Sequence, residues 1–306
     1  MTNRPESFLA KGEHFLPGNS EQLKLSLLAL ILNRNILIED VPGMGKTTLV
    51  KFFAKATGLE FRRIQFTSDL LPSDVLGVSI FQKETEKFLF RPGPIFGELI
   101  LADELNRGTP KTQSALLQAM EEKMVTVDGQ THLLPKRFCL IATQNPRGQF
   151  GTFPLPESQL DRFLFKISMG HLSKDQEIEL LSSGSRLGHL ESLDPIIDVN
   201  QIQQWEEAVR QVEASPLLLT YITDLLHETR TSPDHFGLSP RAGLDLLDAA
   251  RGWAWLMGRS FVIPDDVQKV FPAVSGHRMF SHFSLSVTQE HGRSGELLKR
   301  VPFVKQ

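Results

Sequence analysis

Two groups of residues in this chain have types and spacing suited to phosphate chemistry. The first is the loop Asp40-Val41-Pro42-Gly43-Met44-Gly45-Lys46-Thr47-Thr48. It follows the apolar run Ile36-Leu37-Ile38, and Leu49, Val50 and Phe53 after it share a helical stripe. A strand, a glycine turn and a helix start in that order aim backbone N–H groups and the positive end of a helix dipole at phosphate oxygens. Lys46 then reaches the outer phosphates, and the Thr47 hydroxyl is suited to ligating Mg2+. Asp40 departs from the usual pattern, which has glycine at that position. The second group is Asp103-Glu104, closing the apolar run Leu99-Ile100-Leu101-Ala102. Asp103 suits a magnesium ion, held directly or through water. Glu104 suits the polarisation of an attacking water as general base.

A third apolar run, Phe138-Cys139-Leu140-Ile141-Ala142, ends in Thr143-Gln144-Asn145-Pro146. Ligands of open α/β sheets bind at the carboxyl ends of strands, so Asn145 joins the same edge, placed to orient the water and sense the terminal phosphate. Together the three segments imply an enzyme that binds and hydrolyses a nucleoside triphosphate with magnesium.

Asp40 to Thr48, Asp103 to Gly108, Asn145 and Leu160-Asp161-Arg162-Phe163 resemble the AAA+ ATPases. Within these the chain is similar to the MoxR family. The similarity is carried by the stretch from Ile64 to Asp74, by Gly93-Pro94-Ile95-Phe96, by Gly151 to Glu157 and by Leu238-Ser239-Pro240-Arg241-Ala242. It runs from about Gly18 to about Arg278, and Asp at position 40 occurs within the family. The resemblance implies ATP and Mg2+ as cofactors. It makes Arg162 an arginine finger reaching the neighbouring subunit's nucleotide, and Arg241 a second sensor from the smaller domain. Arg107 would face the subunit interface. It further implies a homo-hexameric ring, a partner with a von Willebrand factor A fold, and a client protein complex that the ring remodels or matures, by metal or cofactor insertion or by enzyme activation. Hydrolysis should then need assembly.

The elements that must position these residues divide the chain. Residues 1–18 are polar and proline-containing and read as an arm. Residues 19–170 alternate strands and helices, the pattern of a parallel sheet covered on both faces, an AAA+ α/β nucleotide-binding core. Val78 to Phe90 reads as an inserted hairpin, which in the family interrupts the second helix and projects toward the ring pore. Asp128-Gly129 is a tight-turn dipeptide marking a second hairpin. Residues 171–199 form a connecting helix and linker, opened by a Ser173/Gln176 capping box. Residues 200–275 form an all-helical lid, with helices over Gln201–Ala214, Leu217–Arg230, Pro240–Met257 and from Pro264. The tail, residues 276–306, has mixed signs and little periodicity, compatible with an edge strand, a helix or a mobile segment. Trp253 and Trp255, two apart on a helix, point one to the core and the other partly to solvent.

Composition agrees with a soluble cytoplasmic enzyme of bacterial type. The 306 residues contain no apolar run of membrane-spanning length, and no signal peptide opens the chain. The single cysteine, Cys139, reads as a buried packing residue, and nine histidines show no metal-ligand spacing. His277, beside Arg278, reads as one of a surface or packing pair. A net charge of −3 argues against a nucleic-acid partner. Three rival functions stay open at this level: a nucleic-acid-dependent AAA+ motor, a nucleotide-switched adaptor, and a magnesium-chelatase-like role on the same ring plan. A pure switch has no need of both Glu104 and Arg162.

Overall fold

The computed structural model describes residues 5–41, 43–146, 151–183, 190–231, 236–280 and 285–303. Its centre is a five-stranded parallel sheet. The strands are β1 (Ile36–Glu39), β2 (Phe61–Gln65), β5 (Leu99–Asp103), β8 (Cys139–Gln144) and β9 (Phe165–Ile167), in the order β2-β5-β8-β1-β9. Alternate residues of these strands enter two different apolar clusters. Ile36, Ile38, Leu99, Leu101 and Ile141 face one, and Leu37, Ile100, Ala102, Leu140 and Ala142 face the other. Burial on both faces is why the strands read as continuous apolar runs.

Helices α1 (Glu6–Phe15), α2 (Ser20–Ile31) and α3 (Lys46–Thr57) cover the first face. Helix α5 (Pro110–Glu122) covers the second through Leu116, Leu117 and Met120. The segment 1–18 is therefore not an unfolded arm over its described part. Phe8 is fully buried, with its ring 5.0 Å from Phe52 and 5.4 Å from Phe53 of α3. Two aromatics of one sequence-distant helix supply apolar surface that a ten-residue helix lacks by itself.

Short α4 (Pro72–Leu76) leads into the antiparallel hairpin β3 (Gly77–Gln82) and β4 (Lys87–Pro92). A second hairpin, β6 (Met124–Val127) and β7 (Gln130–Leu133), turns at Asp128 and Gly129, both at positive φ. The hairpins meet where the Phe90 and His132 rings stack at 3.8 Å. Ile80, Phe81, Phe88 and Leu89 of the first hairpin are exposed.

Short α6 (Glu157–Leu160) precedes β9, and α7 (Lys174–Ser183) follows it. The lid comprises α8 (Val199–Arg210), α9 (Pro216–Thr231), α10 (Pro240–Leu256) and α11 (Pro264–Met279). The first of these ends at Arg210 and not at Ala214, because the chain leaves it to pair Glu213 with Phe261. The tail adds α12 (Val287–Arg300), begun by a Ser286/Gln289 capping box. Both Trp253 and Trp255 are buried, at 8% and 7% exposure. Helix α10 is enclosed on several sides: Trp255 packs on Trp205 of α8, and Gly252 lies flush against Leu28 of α2. No helix among the described residues is long and apolar enough to cross a membrane.

Candidate active site at the strand ends

Parallel register brings the carboxyl ends of β1, β5 and β8 side by side: Glu39 lies beside Gln144, and Ala102 beside Ala142. Lys46, Asp103, Glu104 and Asn145 thus share one edge of the sheet, as expected. Gly43 and Gly45 both have positive φ, +89° and +85°, a backbone that L side chains rarely adopt. The first turn of α3 has neither a side-chain cap nor an acidic residue, so its N–H groups are left for an anion. Thr47 is exposed in that turn, Thr48 is half-buried, and Met44 packs against the apolar cluster beneath. Val41 is exposed, and Pro42 lies outside the described residues.

Asp40 has a definite task. Its Oδ2 accepts from Ser168 Oγ at 2.8 Å, Met169 N–H at 2.9 Å and Gly170 N–H at 3.0 Å. Its Oδ1 accepts from Val41 N–H at 2.9 Å. The carboxylate therefore ties the start of the phosphate loop to the segment leaving β9. Lys46 Nζ donates to the Asp40 carbonyl at 2.5 Å and lies 3.3 Å from that of Val41. Burial lowers the Lys46 pKa, opposed by the charges of Asp40, Asp103, Glu104 and Glu39.

Asp103 Oδ1 accepts from Thr143 Oγ1 at 2.6 Å, and its Oδ2 pairs with Arg63 Nη2 at 2.6 Å. Glu104 has a left-handed backbone, φ 55° and ψ 44°, uncommon for a residue with a side chain. That backbone is held by its N–H, which donates to Thr143 Oγ1 at 2.9 Å. The carboxylate meets Gln65 Nε2 at 3.1 Å, Arg107 Nε at 3.3 Å and Asn145 Nδ2 at 3.4 Å. Asn106 donates to the Asn145 carbonyl at 3.0 Å, which fixes the end of β8 against the turn after β5. Arg63, Gln65, Thr143 and Asn106 escape sequence reading. Arg63 and Gln65 do show a clue, since they alternate with buried Ile64 on β2.

Arg162 and Arg241 lie elsewhere. Arg162 Nε pairs with Glu121 Oε2 at 2.5 Å, and Arg241 Nη1 pairs with Glu121 Oε1 at 2.9 Å. Neither has a partner in the phosphate loop among the described residues. The backbone around Arg162 is pinned by the lid. Arg278 of α11 pairs with Asp161 at 2.9 Å and donates to the Phe163 carbonyl at 3.1 Å. His277 is fully buried, and its Nε2 lies 3.0 Å from the same carbonyl. A carbonyl only accepts, so that nitrogen carries the proton.

Cys139 is buried, and burial pushes its thiol up to about 12, which leaves it a packing residue. The described residues contain no cluster of three metal-ligating His, Cys, Asp or Glu side chains.

Comparison with known proteins agrees with this geometry. Residues 35–165 match the ATPase family associated with various cellular activities (AAA), and residues 228–297 match the AAA lid domain. The chain is 49% identical to the uncharacterized protein YeaC of Bacillus subtilis, over 84% of this chain and 81% of that one. It is 37% identical to the chaperone MoxR1 of Mycobacterium tuberculosis, over 87% and 73% respectively. A solved structure from Cytophaga hutchinsonii, assigned as an ATPase, superposes with a TM-score of 0.87 at 33% identity, covering 99% of this chain and 96% of that one.

Proposed function

The chain belongs to the MoxR family of AAA+ ATPases, and from that premise we propose that it is the motor of a ring that remodels or matures other protein complexes. It hydrolyses ATP; the observation that carries the assignment of roles is the convergence of Lys46, Asp103, Glu104 and Asn145 on one sheet edge. The glycine turn and the uncapped start of α3 cradle the phosphates, and Lys46 reaches the outer ones.

Glu104 takes a proton from the attacking water onto a carboxylate oxygen, while Asn145 orients that water. The strained Glu104 backbone and its partners hold the carboxylate in place before the reaction. Thr47 and Asp103 are hard oxygen donors of the kind Mg2+ takes, and so small a donor set suits an ion that keeps most of its ligands as water and phosphate. Mg2+ held there would neutralise charge on the phosphate oxygens. Both Asp103 oxygens already have partners, which favours contact through water.

Arg162 acts on the neighbouring subunit's nucleotide, and Arg241 beside it serves the same site. What supports this is that both pair with Glu121, with no partner in their own phosphate loop among the described residues, and that both are partly exposed, 23% and 41%. A hexameric ring follows the family plan. The exposed apolar hairpin β3–β4 faces the pore in this reading, and a protein with a von Willebrand factor A fold links the ring to its client.

The test is a tagged Glu104→Gln chain. It should bind ATP normally and turn over at least about a hundredfold slower. Held in its ATP state in cells, it should capture a specific protein complex, identified by mass spectrometry. Near-normal turnover removes Glu104 as the base. Capture that vanishes on nuclease treatment replaces the remodelling reading with a nucleic-acid motor.

A further inference from the structure

We propose that Glu121 is the positioning residue that presents Arg162, together with Arg241, to the neighbouring subunit's nucleotide. The inference rests on the reading that Arg162 serves that neighbour. Glu121 lies near the far end of α5, whose first residue, Pro110, follows the catalytic edge closely in sequence. At about 1.5 Å per residue, Glu121 stands roughly 16 Å along the helix from that end. Its carboxylate is thus remote from Glu104, and its partners are the two arginines.

The way each arginine is held matters. Arg162 uses Nε, the inner nitrogen of its guanidinium. Its two terminal nitrogens donate no hydrogen bond among the described residues, so the fork that fits phosphoryl oxygens is open to a ligand. Arg241 uses Nη1 and leaves its other nitrogens. Two guanidiniums on one carboxylate keep one net positive charge, so pairing does not cancel the attraction for phosphate. Glu121 itself is 37% exposed, on the surface where another subunit can reach the pair.

Backbone and side chain are fixed by different groups. Arg278 and His277 hold the main chain at Asp161 and Phe163. That leaves the long Arg162 side chain to be directed by Glu121. The same carboxylate spans from α5 of the core to α10 of the lid, so it sets the two cations relative to each other. A group pre-oriented in this way contributes to rate without contributing to the subunit's own nucleotide affinity.

The experiment is steady-state ATP hydrolysis by the assembled protein, comparing Glu121→Ala, Arg162→Ala and the double variant. Alanine at an exposed helical position preserves the helix, and a thermal melt checks this. Glu121→Ala should lower kcat by roughly tenfold or more while KM for ATP stays within about twofold. The two losses should not multiply: the double variant should be only slightly slower than Arg162→Ala alone, because Glu121 acts through that arginine and, for the remainder, through Arg241. Unchanged kcat in Glu121→Ala, in a protein that Arg162→Ala inactivates, overturns the role of Glu121 and leaves the arginine finger intact. Normal turnover by Arg162→Ala itself overturns the finger reading. A loss in Glu121→Ala that comes with a raised KM or failed assembly makes Glu121 a scaffold residue and overturns the positioning role.

Discussion

At the scale of single residues, the phosphate loop shows how a departure from a motif acquires a physical meaning. Glycine at position 40 would leave the Met169 and Gly170 N–H groups without the carboxylate they now share. Asp40→Ala should therefore cost about 1–3 kcal/mol of stability, the range for stranding partners of a charged acceptor. It should also weaken nucleotide binding, because the loop loses its tie to the segment after β9. Urea unfolding and titration with a fluorescent ATP analogue measure the two effects, and a variant with wild-type values in both would refute the anchoring role. The placement of Lys46, Asp103 and Glu104 at one sheet edge was legible because each motif is local and adjoins a strand end. The anchoring by Asp40 was not, since its partners lie about 130 residues on and no spacing rule connects them. Arg63 on Asp103 was hidden for the same reason, as it depends on which strand lies beside β2.

At the scale of elements, the tail helix is joined to the nucleotide edge by a buried ionic network. Lys166 of β9 is 2% exposed at its side chain and meets Glu290 of α12 at 2.9 Å and Glu39 of β1 at 3.3 Å. Gln144 of β8 donates to Glu39 as well. Glu39 immediately precedes Asp40, and Gln144 precedes Asn145, so the network adjoins two candidate site residues in the chain. Lys166→Met should destabilise the protein by about 3–5 kcal/mol, because it leaves two buried carboxylates without their cation. A denaturation midpoint unchanged from wild type would show that the network is not coupled to folding. The weak periodicity of residues 276–306 concealed this helix. Its inner face carries polar residues, Glu290 and Ser294, which satisfy buried partners and so break the apolar pattern that sequence reading relies on. The alternating strands and the lid helices were legible because their apolar periods are strong. The short helix α1 was missed because tertiary contacts with α3 hold it.

At the scale of the whole molecule, core and lid are joined by polar contacts around the segment that carries Arg162, and one of them is sensitive to acid. His277 of α11 lies against the Phe163 carbonyl of the core, fully buried beside Arg278 and near Lys166. Burial first, and these cations second, hold its pKa well below the ordinary 6.5. His291, half-buried over β9, is shifted the same way, by desolvation first. The unfolded chain would take up protons near pH 6.5 while the folded chain still refuses them. Below that pH the unfolded state therefore binds more protons, and stability rises with pH and is lost on acidification. The loss begins as pH falls through about 6.5 and continues toward the lower folded-state value. Each such histidine contributes a slope approaching about 1.4 kcal/mol per pH unit, the linkage limit for one proton. His277→Gln keeps an N–H for the Phe163 carbonyl but cannot titrate. Between pH 6 and 5 its unfolding free energy should fall by about 1 kcal/mol less per pH unit than the parent's, measured by urea denaturation at each pH. Equal slopes in the two proteins would mean that His277 is not kept neutral on folding. The core–lid contact would then have another source of acid sensitivity. A shallower slope would instead place proton uptake at the joint that fixes the arginine segment. Mild acid should then loosen Arg162 before it unfolds the sheet, since the strands owe their burial to apolar residues that do not titrate.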